Sequence, residues 1–213
     1  MTDLDRLQKE SEMSSVLEMP PEIEQSEKIA VFCGARDGAR PDHLLLAREF
    51  GTALARHGLD LVYGAGGVGV MGAVAHAVMD AGGGVTGVVP RFLHERERAD
   101  NAPGALFLVR SMHERKALMY RLSTGFAVLP GGFGTLDELL EVATWNQLSL
   151  MRKPIVVVNH HGFFDPLLSM LDHLVQEGFL KAGERSLIQE GRDVEDAIDL
   201  LTASRTEPAP ATA

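Results

Sequence analysis

Short apolar runs alternate with stretches whose apolar residues recur at helical spacing, and this rhythm holds from residue 28 to about residue 201. KIAVFCGA (28–35) is a continuous apolar run and predicts a strand. Residues 42–57 repeat apolar positions every three or four residues and end at Gly58, which predicts a helix and its stop. The same logic predicts strands over 59–66, 84–90, 105–111, 125–131 and 154–160, and a short one near 186–189. Helices are predicted over 68–81, 112–123, 135–150, 164–177 and about 194–201. Residues 91–104, rich in charge, read as a polar loop. Strands that are apolar throughout, each followed by a helix, imply a sheet covered on both faces. The expected fold is α/β: one doubly wound, mostly parallel, Rossmann-like sheet. Residues 28–204 form that domain, between a polar tail (1–27, with Pro20-Pro21) and a frayed end (205–213) rich in Pro, Ala and Thr.

Composition narrows the function classes. The 213 residues suit one domain, and 45% hydrophobic with 23% charged residues is globular. Twenty basic residues against thirty acidic leave a net charge of −10, the wrong sign for gripping a nucleic-acid backbone. One cysteine excludes an internal disulfide framework and fits a reducing compartment. No apolar run approaches the ~20 residues that span a bilayer, and the N-terminus is no signal peptide, so neither membrane nor nucleic acid is an expected partner. A cytoplasmic protein is expected.

The 22 glycines are clustered rather than repeated. Gly34 follows the first strand, Gly64 to Gly72 the second, and Gly131 to Gly134 the fifth. Parallel sheets bind ligands at the carboxyl ends of their strands, where all three turns fall. The second turn holds G-x-G-x-x-G, with Gly66, Gly67 and Gly69, between a strand and a helix. It follows the wrong strand for a dinucleotide, and the next strand ends in Pro90-Arg91 where a ribose-binding acid is needed. A mononucleotide or sugar phosphate, or simply close helix–strand packing, remains open.

The fifth turn, Pro130-Gly131-Gly132-Phe133-Gly134-Thr135, bares backbone N–H groups where a helix is expected to start, at about Thr135. Bare donors and a positive helix end together make an anion site. Glu138 has two readings. Thr135-x-x-Glu138 is a capping box, with the glutamate bonded back to the Thr135 N–H, or the carboxylate serves chemistry. Asp137 and Glu138 point about 100° apart on a helix and are no glycosidase pair. After the fourth strand, Met112-His113-Glu114-Arg115-Lys116 places two cations at a helix start, where the dipole disfavours them, unless an anion lies nearby. His160 and His161, adjacent in an extended segment, should point to opposite faces, so no metal ligation is expected. Cys33 reads as a small buried residue and Trp145 as core or interface.

Met112-x-x-Arg115-Lys116 followed by Pro130-Gly-Gly-x-Gly-Thr-x-x-Glu138 resembles the paired signature of the LONELY GUY family. The likeness extends over about residues 28–180, including VFCGA at 31–35, GGVGVMG at 66–72, Arg96-Glu97 and Glu141-Val-Ala-Thr144-Trp145-x-Gln147-Leu148. Departures are Ala35-Arg36, where members often carry serines, and Arg110-Ser111, where many carry an acid.

The resemblance implies cytokinin riboside 5′-monophosphate phosphoribohydrolase activity, with Arg115 and Glu138 as the catalytic pair. Lys116, the 132–138 turn, Glu97 and Thr144 fall on nucleotide-binding positions. With Met112 of the motif and Gly34, Gly66, Gly67, Gly69, Gly131, Gly132, Gly134 and Thr135 of the turns, these are the candidate substrate contacts. The implied substrate is a nucleoside 5′-monophosphate, N6-prenylated adenosine monophosphate or AMP. No metal or organic cofactor is implied, and the family's members are dimers or larger. A two-fold interface is expected on the helix bearing Leu139, Leu140 and Trp145. The competing reading is a carrier of a phosphate-bearing cofactor such as molybdenum cofactor, which would need the phosphate turn but not the Arg115–Glu138 pair. A DNA-processing protein on the same fold is disfavoured by the charge.

Overall fold

The computed structural model describes residues 26–97 and 102–203. Apart from residues 26 and 27, the expected tails lie outside it. Seven parallel strands run β1 (Lys28–Phe32), β2 (Asp60–Tyr63), β3 (Val85–Pro90), β4 (Ala105–Val109), β5 (Gly125–Val128), β6 (Ile155–Val158) and β7 (Ile188–Gly191). Their order across the sheet is β4-β3-β2-β1-β5-β6-β7. The helices are α1 (Asp42–Arg56), α2 (Gly69–Asp80), α3 (Arg91–Glu97), α4 (Met112–Leu122), α5 (Phe133–Gln147), α6 (Asp165–Gln176), α7 (Ala182–Arg185) and α8 (Val194–Thr202).

Strand alternation sorts the core into two layers, because successive side chains leave opposite faces. Ile29, Val31, Leu61, Tyr63, Ala127 and Val156 face α1, α2 and α8. Ala30, Phe32, Val62, Phe126, Val128 and Val157 face α4, α5 and α6. Both faces of β1, β5 and β6 are buried, so these strands read as unbroken apolar runs, whereas the edge strand β4 leaves Phe107 and Leu108 exposed.

Three elements depart from expectation. Residues 91–97, expected in a polar loop, form α3 directly after Pro90. The helix expected from Thr135 begins two residues earlier, at Phe133, with Gly132 as its N-cap. The last strand is displaced to 188–191.

Strand order reverses between β1 and β5, and there the crevice of such a sheet opens. The three glycine turns meet at it. The Gly34 N–H donates to the Pro130 carbonyl at 3.0 Å, and the Met71 N–H donates to the Gly34 carbonyl at 3.0 Å. Gly69 lies at φ +69°, and a Cβ there would sit 2.5 Å from Ala35 C and Arg36 N. Gly69→Ala should therefore cost ~2–3 kcal/mol and lower the melting temperature by roughly 5–10 °C. Gly183→Ala, with no atom within 4 Å of the added carbon, should stay within about 2 °C. Equal melting temperatures for the two variants would show that the turns do not need this approach.

Candidate active site

Glu138 lies on the second turn of α5, 8% exposed, just beyond the β5 glycine turn. Because Gly132 is the N-cap, Thr135 is already inside the helix and the expected capping box does not form. Thr135 is buried at 3% exposure, and a Cβ on Gly131 would lie 2.0 Å from its Oγ1. Burial pushes the Glu138 carboxyl up to about 7, against the lowering pull of the nearby Arg115 and Lys116 charges. Asp137 and Glu141 add to the rise.

Arg115 is the fourth residue of α4, whose N-cap Ser111 accepts from the Glu114 N–H. Its guanidinium does not float in solvent. Nε donates to the Val88 carbonyl at 3.1 Å and Nη2 to the Gly64 carbonyl at 3.2 Å, tying α4 to the carboxyl ends of β3 and β2. Nη1 makes a long contact of 4.0 Å with Met112 Sδ. Gly64 is glycine because the guanidinium needs its place: a Cβ there would lie 1.8 Å from Nη2. Cys33, at the end of β1, feels both Glu138 and Arg115, and burial raises its thiol far above the ordinary range. It is buried, as expected.

The glycines divide. Gly66 donates its N–H to Met71 Sδ at 3.1 Å, and a Cβ on Gly72 would lie 2.5 Å from the Gly67 carbonyl carbon, so that turn is closed by its own packing. Gly34 is pinned against Gly131, with 3.3 Å between a would-be Cβ and the Gly131 Cα. Gly132 and Gly134 have nothing within 4 Å of an added Cβ. The chain's own packing does not require them to be glycine. With a glycine as N-cap, no side chain caps α5, which leaves its first-turn N–H groups without the partner that a capping residue supplies. Phe133 beside them is 94% exposed.

Other expected residues are placed differently. Lys116 is not a free cation. Its Nζ sits 3.1 Å from Asp137 and 2.9 Å from Glu141. Thr144 is exposed two turns beyond Glu138, its hydroxyl bonded to the Leu140 carbonyl at 2.7 Å. Glu97 closes α3, and its side chain lies outside the described residues. Leu139 is fully buried and Trp145 packs edge-on against Tyr120 at 5.3 Å, so of the expected interface residues only Leu140 is exposed. His160 and His161 do not diverge. A 3₁₀ turn with His161 at φ 53° brings their rings to 3.9 Å. No three His, Cys, Asp or Glu residues among those described are placed to hold a metal. A groove of about 810 Å³ runs between α1 and α2, is lined by Arg48, Gly67, Gly69 and His76 among others, and does not include Glu138 or Arg115.

Solved structures of similar fold include the molybdenum cofactor carrier protein of Chlamydomonas reinhardtii (TM-score 0.65, 20% identity, 86% of this chain and 100% of that one). DNA processing protein A of Helicobacter pylori also matches (TM-score 0.55, 13% identity, 88% of this chain and 90% of that one). These likenesses concern the fold alone. Closer relatives in sequence are the cytokinin riboside 5′-monophosphate phosphoribohydrolase LOG of rice (Oryza sativa subsp. japonica), 47% identical over 76% of this chain and 66% of that protein. The probable phosphoribohydrolase LOGL1 of the same plant is 42% identical over 87% and 84%, and LOG4 of Arabidopsis thaliana is 44% identical over 76% and 75%. Residues 71–201 match the family model described as "Possible lysine decarboxylase". The matched span, the sequence identities and the Arg115–Glu138 arrangement together place this chain in the LONELY GUY family.

Proposed function

We propose that the protein hydrolyses the N-glycosidic bond of purine nucleoside 5′-monophosphates, releasing free base and ribose 5-phosphate. N6-prenylated adenosine monophosphate is the preferred substrate and AMP an accepted one. The observation that carries this reading is a buried carboxyl titrating near neutrality, beside a fixed guanidinium and an uncapped glycine-rich helix start. The phosphate binds the first-turn N–H groups of α5, where donors and dipole favour an anion. Gly132 and Gly134 leave room for it. The ribose then extends over Glu138. As the C–N bond breaks, positive charge grows on the sugar, and the Glu138 carboxylate stabilises it and takes a proton from the water whose oxygen bonds to the anomeric carbon, while a proton returns to the departing base nitrogen. A guanidinium cannot serve as a base, so that part does not fall to Arg115. With Nε and one Nη2 hydrogen held by strand-end carbonyls, Nη1 and the second Nη2 hydrogen are left to steady the leaving base or the phosphate. Relatives named for this activity support the reading, and the carrier alternative rests on fold likeness alone.

The enzyme works as a dimer or larger assembly in a cytoplasmic setting. Leu140, Thr144, Leu148 and Leu150 form an exposed, largely apolar strip along α5 and its exit, suited to a second copy. A monomeric mass by light scattering would remove this part. Among the described residues no helix is long and apolar enough to cross a membrane.

Base release is expected from AMP but not from adenosine, since each charge-assisted phosphate bond is worth ~1.5–3 kcal/mol. Equal turnover of the two by chromatographic assay would reject the phosphate site. Gly134→Ala should stabilise the helix by up to ~1 kcal/mol, yet lower turnover of AMP at least tenfold by filling the open space. Unchanged turnover would empty that space of meaning.

Glu138→Gln should lower turnover by about 10²-fold or more. In the wild type, kcat/KM should rise with pH through about 7, because the working form is the carboxylate. Stability should move the opposite way. The folded protein holds this proton more tightly than the unfolded chain, so stability falls as pH rises from about 4.5 to about 7. Glu138→Gln should therefore melt higher than wild type at pH 8, by up to ~3 kcal/mol, and show a smaller gain at pH 5. A variant less stable at both pH values and fully active would assign Glu138 to structure alone.

A further inference from the structure

Behind Glu138 lies a polar cluster that the catalytic scheme does not use. Glu141, one turn further along α5, receives two donors from α4. Lys116 Nζ lies 2.9 Å from its carboxylate, and the Tyr120 hydroxyl donates to it at 2.5 Å. Lys116 also reaches Asp137 at 3.1 Å, and its side chain is only 12% exposed. Tyr120 is anchored by its ring, which lies among Phe32, Phe126 and Trp145 at centroid distances of 6.0, 5.7 and 5.3 Å. Lys116 and Tyr120 are one turn apart on α4, so one carboxylate on α5 clasps two successive turns of its neighbour.

Arg115 adjoins Lys116 on α4, and Glu138 lies between Asp137 and Glu141 on α5. We propose that Glu141 is a positioning residue of the reaction: by clasping Lys116 and Tyr120 it locks α4 to α5 and fixes Glu138 opposite Arg115. This rests on the hydrolase reading, and it changes the part assigned to Lys116. An ammonium already shared by two carboxylates is a poor phosphate clamp but a good strut. Burial opposes the Lys116 charge, yet its bonds to Glu141 and Asp137 outweigh that and hold its pKa above the usual lysine range. Burial and the bond to Glu141 likewise keep Tyr120 protonated as a donor.

The groups that act on Glu138 are Arg115 and Lys116 from α4 and Asp137 and Glu141 from α5, with Cys33 at the end of β1. Glu141→Gln keeps the shape and removes one negative charge from this set. The Lys116 charge stays beside Asp137, so Glu138 should ionise at lower pH than in wild type.

The test compares wild type, Glu141→Gln, Tyr120→Phe and the Glu138→Gln/Glu141→Gln pair. Glu138 titration is followed by ¹³C NMR of labelled glutamate, and AMP hydrolysis by kcat and KM. Glu141→Gln should move the Glu138 midpoint to lower pH and reduce kcat about tenfold, with KM within about threefold. Tyr120→Phe should reduce kcat with little movement of the midpoint. The double variant should be no slower than Glu138→Gln alone. An unmoved midpoint with wild-type kcat overturns the proposal, as does a raised KM with unchanged kcat. So does a loss of melting temperature without either change. Because the NMR titration needs no turnover, a wild type that fails to hydrolyse AMP would reject the hydrolase reading while the midpoint still decides whether Glu141 acts on Glu138.

Discussion

The site depends on backbone packed directly against backbone just beyond the paired ends of β1 and β5. The Gly34 N–H reaches the Pro130 carbonyl, the Met71 N–H reaches the Gly34 carbonyl, and Gly69 presses on Ala35. No side chain fits between these turns. Three loops that would otherwise wander are thereby joined into one rigid floor, and α5 starts from it at a fixed point. The position of Glu138 follows, because it is set only one and a half turns from that start. A buried carboxylate is expensive to ionise, and a fold that relaxed here would let water in and remove the perturbation.

Arg115 anchors the other side. An arginine with a purely chemical role needs freedom to meet its ligand. Here two arms of the fork are committed to the ends of β2 and β3, and Gly64 gives up its side chain to let the guanidinium close. Pre-fixed charge costs no reorganisation when the transition state forms. The same bonds mean that removing Arg115 strands two carbonyls, so a loss of activity in an alanine variant combines chemistry with structure.

The central strands and most helices were legible because both faces of the sheet's middle are covered, which turns those strands into apolar runs and the helices on them into periodic ones; the last strand, Ile188–Gly191, carries Gln189 and Glu190 and was placed two residues early. The glycine turns were legible as a group, from their common place after strands. What sequence spacing misjudged were local contests. Thr135-x-x-Glu138 has the spacing of a capping box, but Gly132 starts the helix first and carries Glu138 away from the end. Residues 91–97 are polar and helical at once, and polarity alone read as loop. His160 and His161 alternate only if the backbone is extended, and His161 is not. Lys116 at a helix start points in sequence to an anionic ligand, because the carboxylates that neutralise it, Asp137 and Glu141, are more than twenty residues away in the chain. No local pattern shows such a neutralisation. It becomes visible only when α4 and α5 are side by side.

On the proposed function, one place, where the strand order reverses between β1 and β5, holds both the phosphate and the carboxylate that cleaves. A crystal structure with ribose 5-phosphate bound tests it most directly. Phosphate oxygens are expected on the N–H groups of Phe133, Gly134 and Thr135, with the sugar's anomeric carbon facing the Glu138 carboxylate. A phosphate seated instead in the groove between α1 and α2, beside Arg48 and His76, would contradict it.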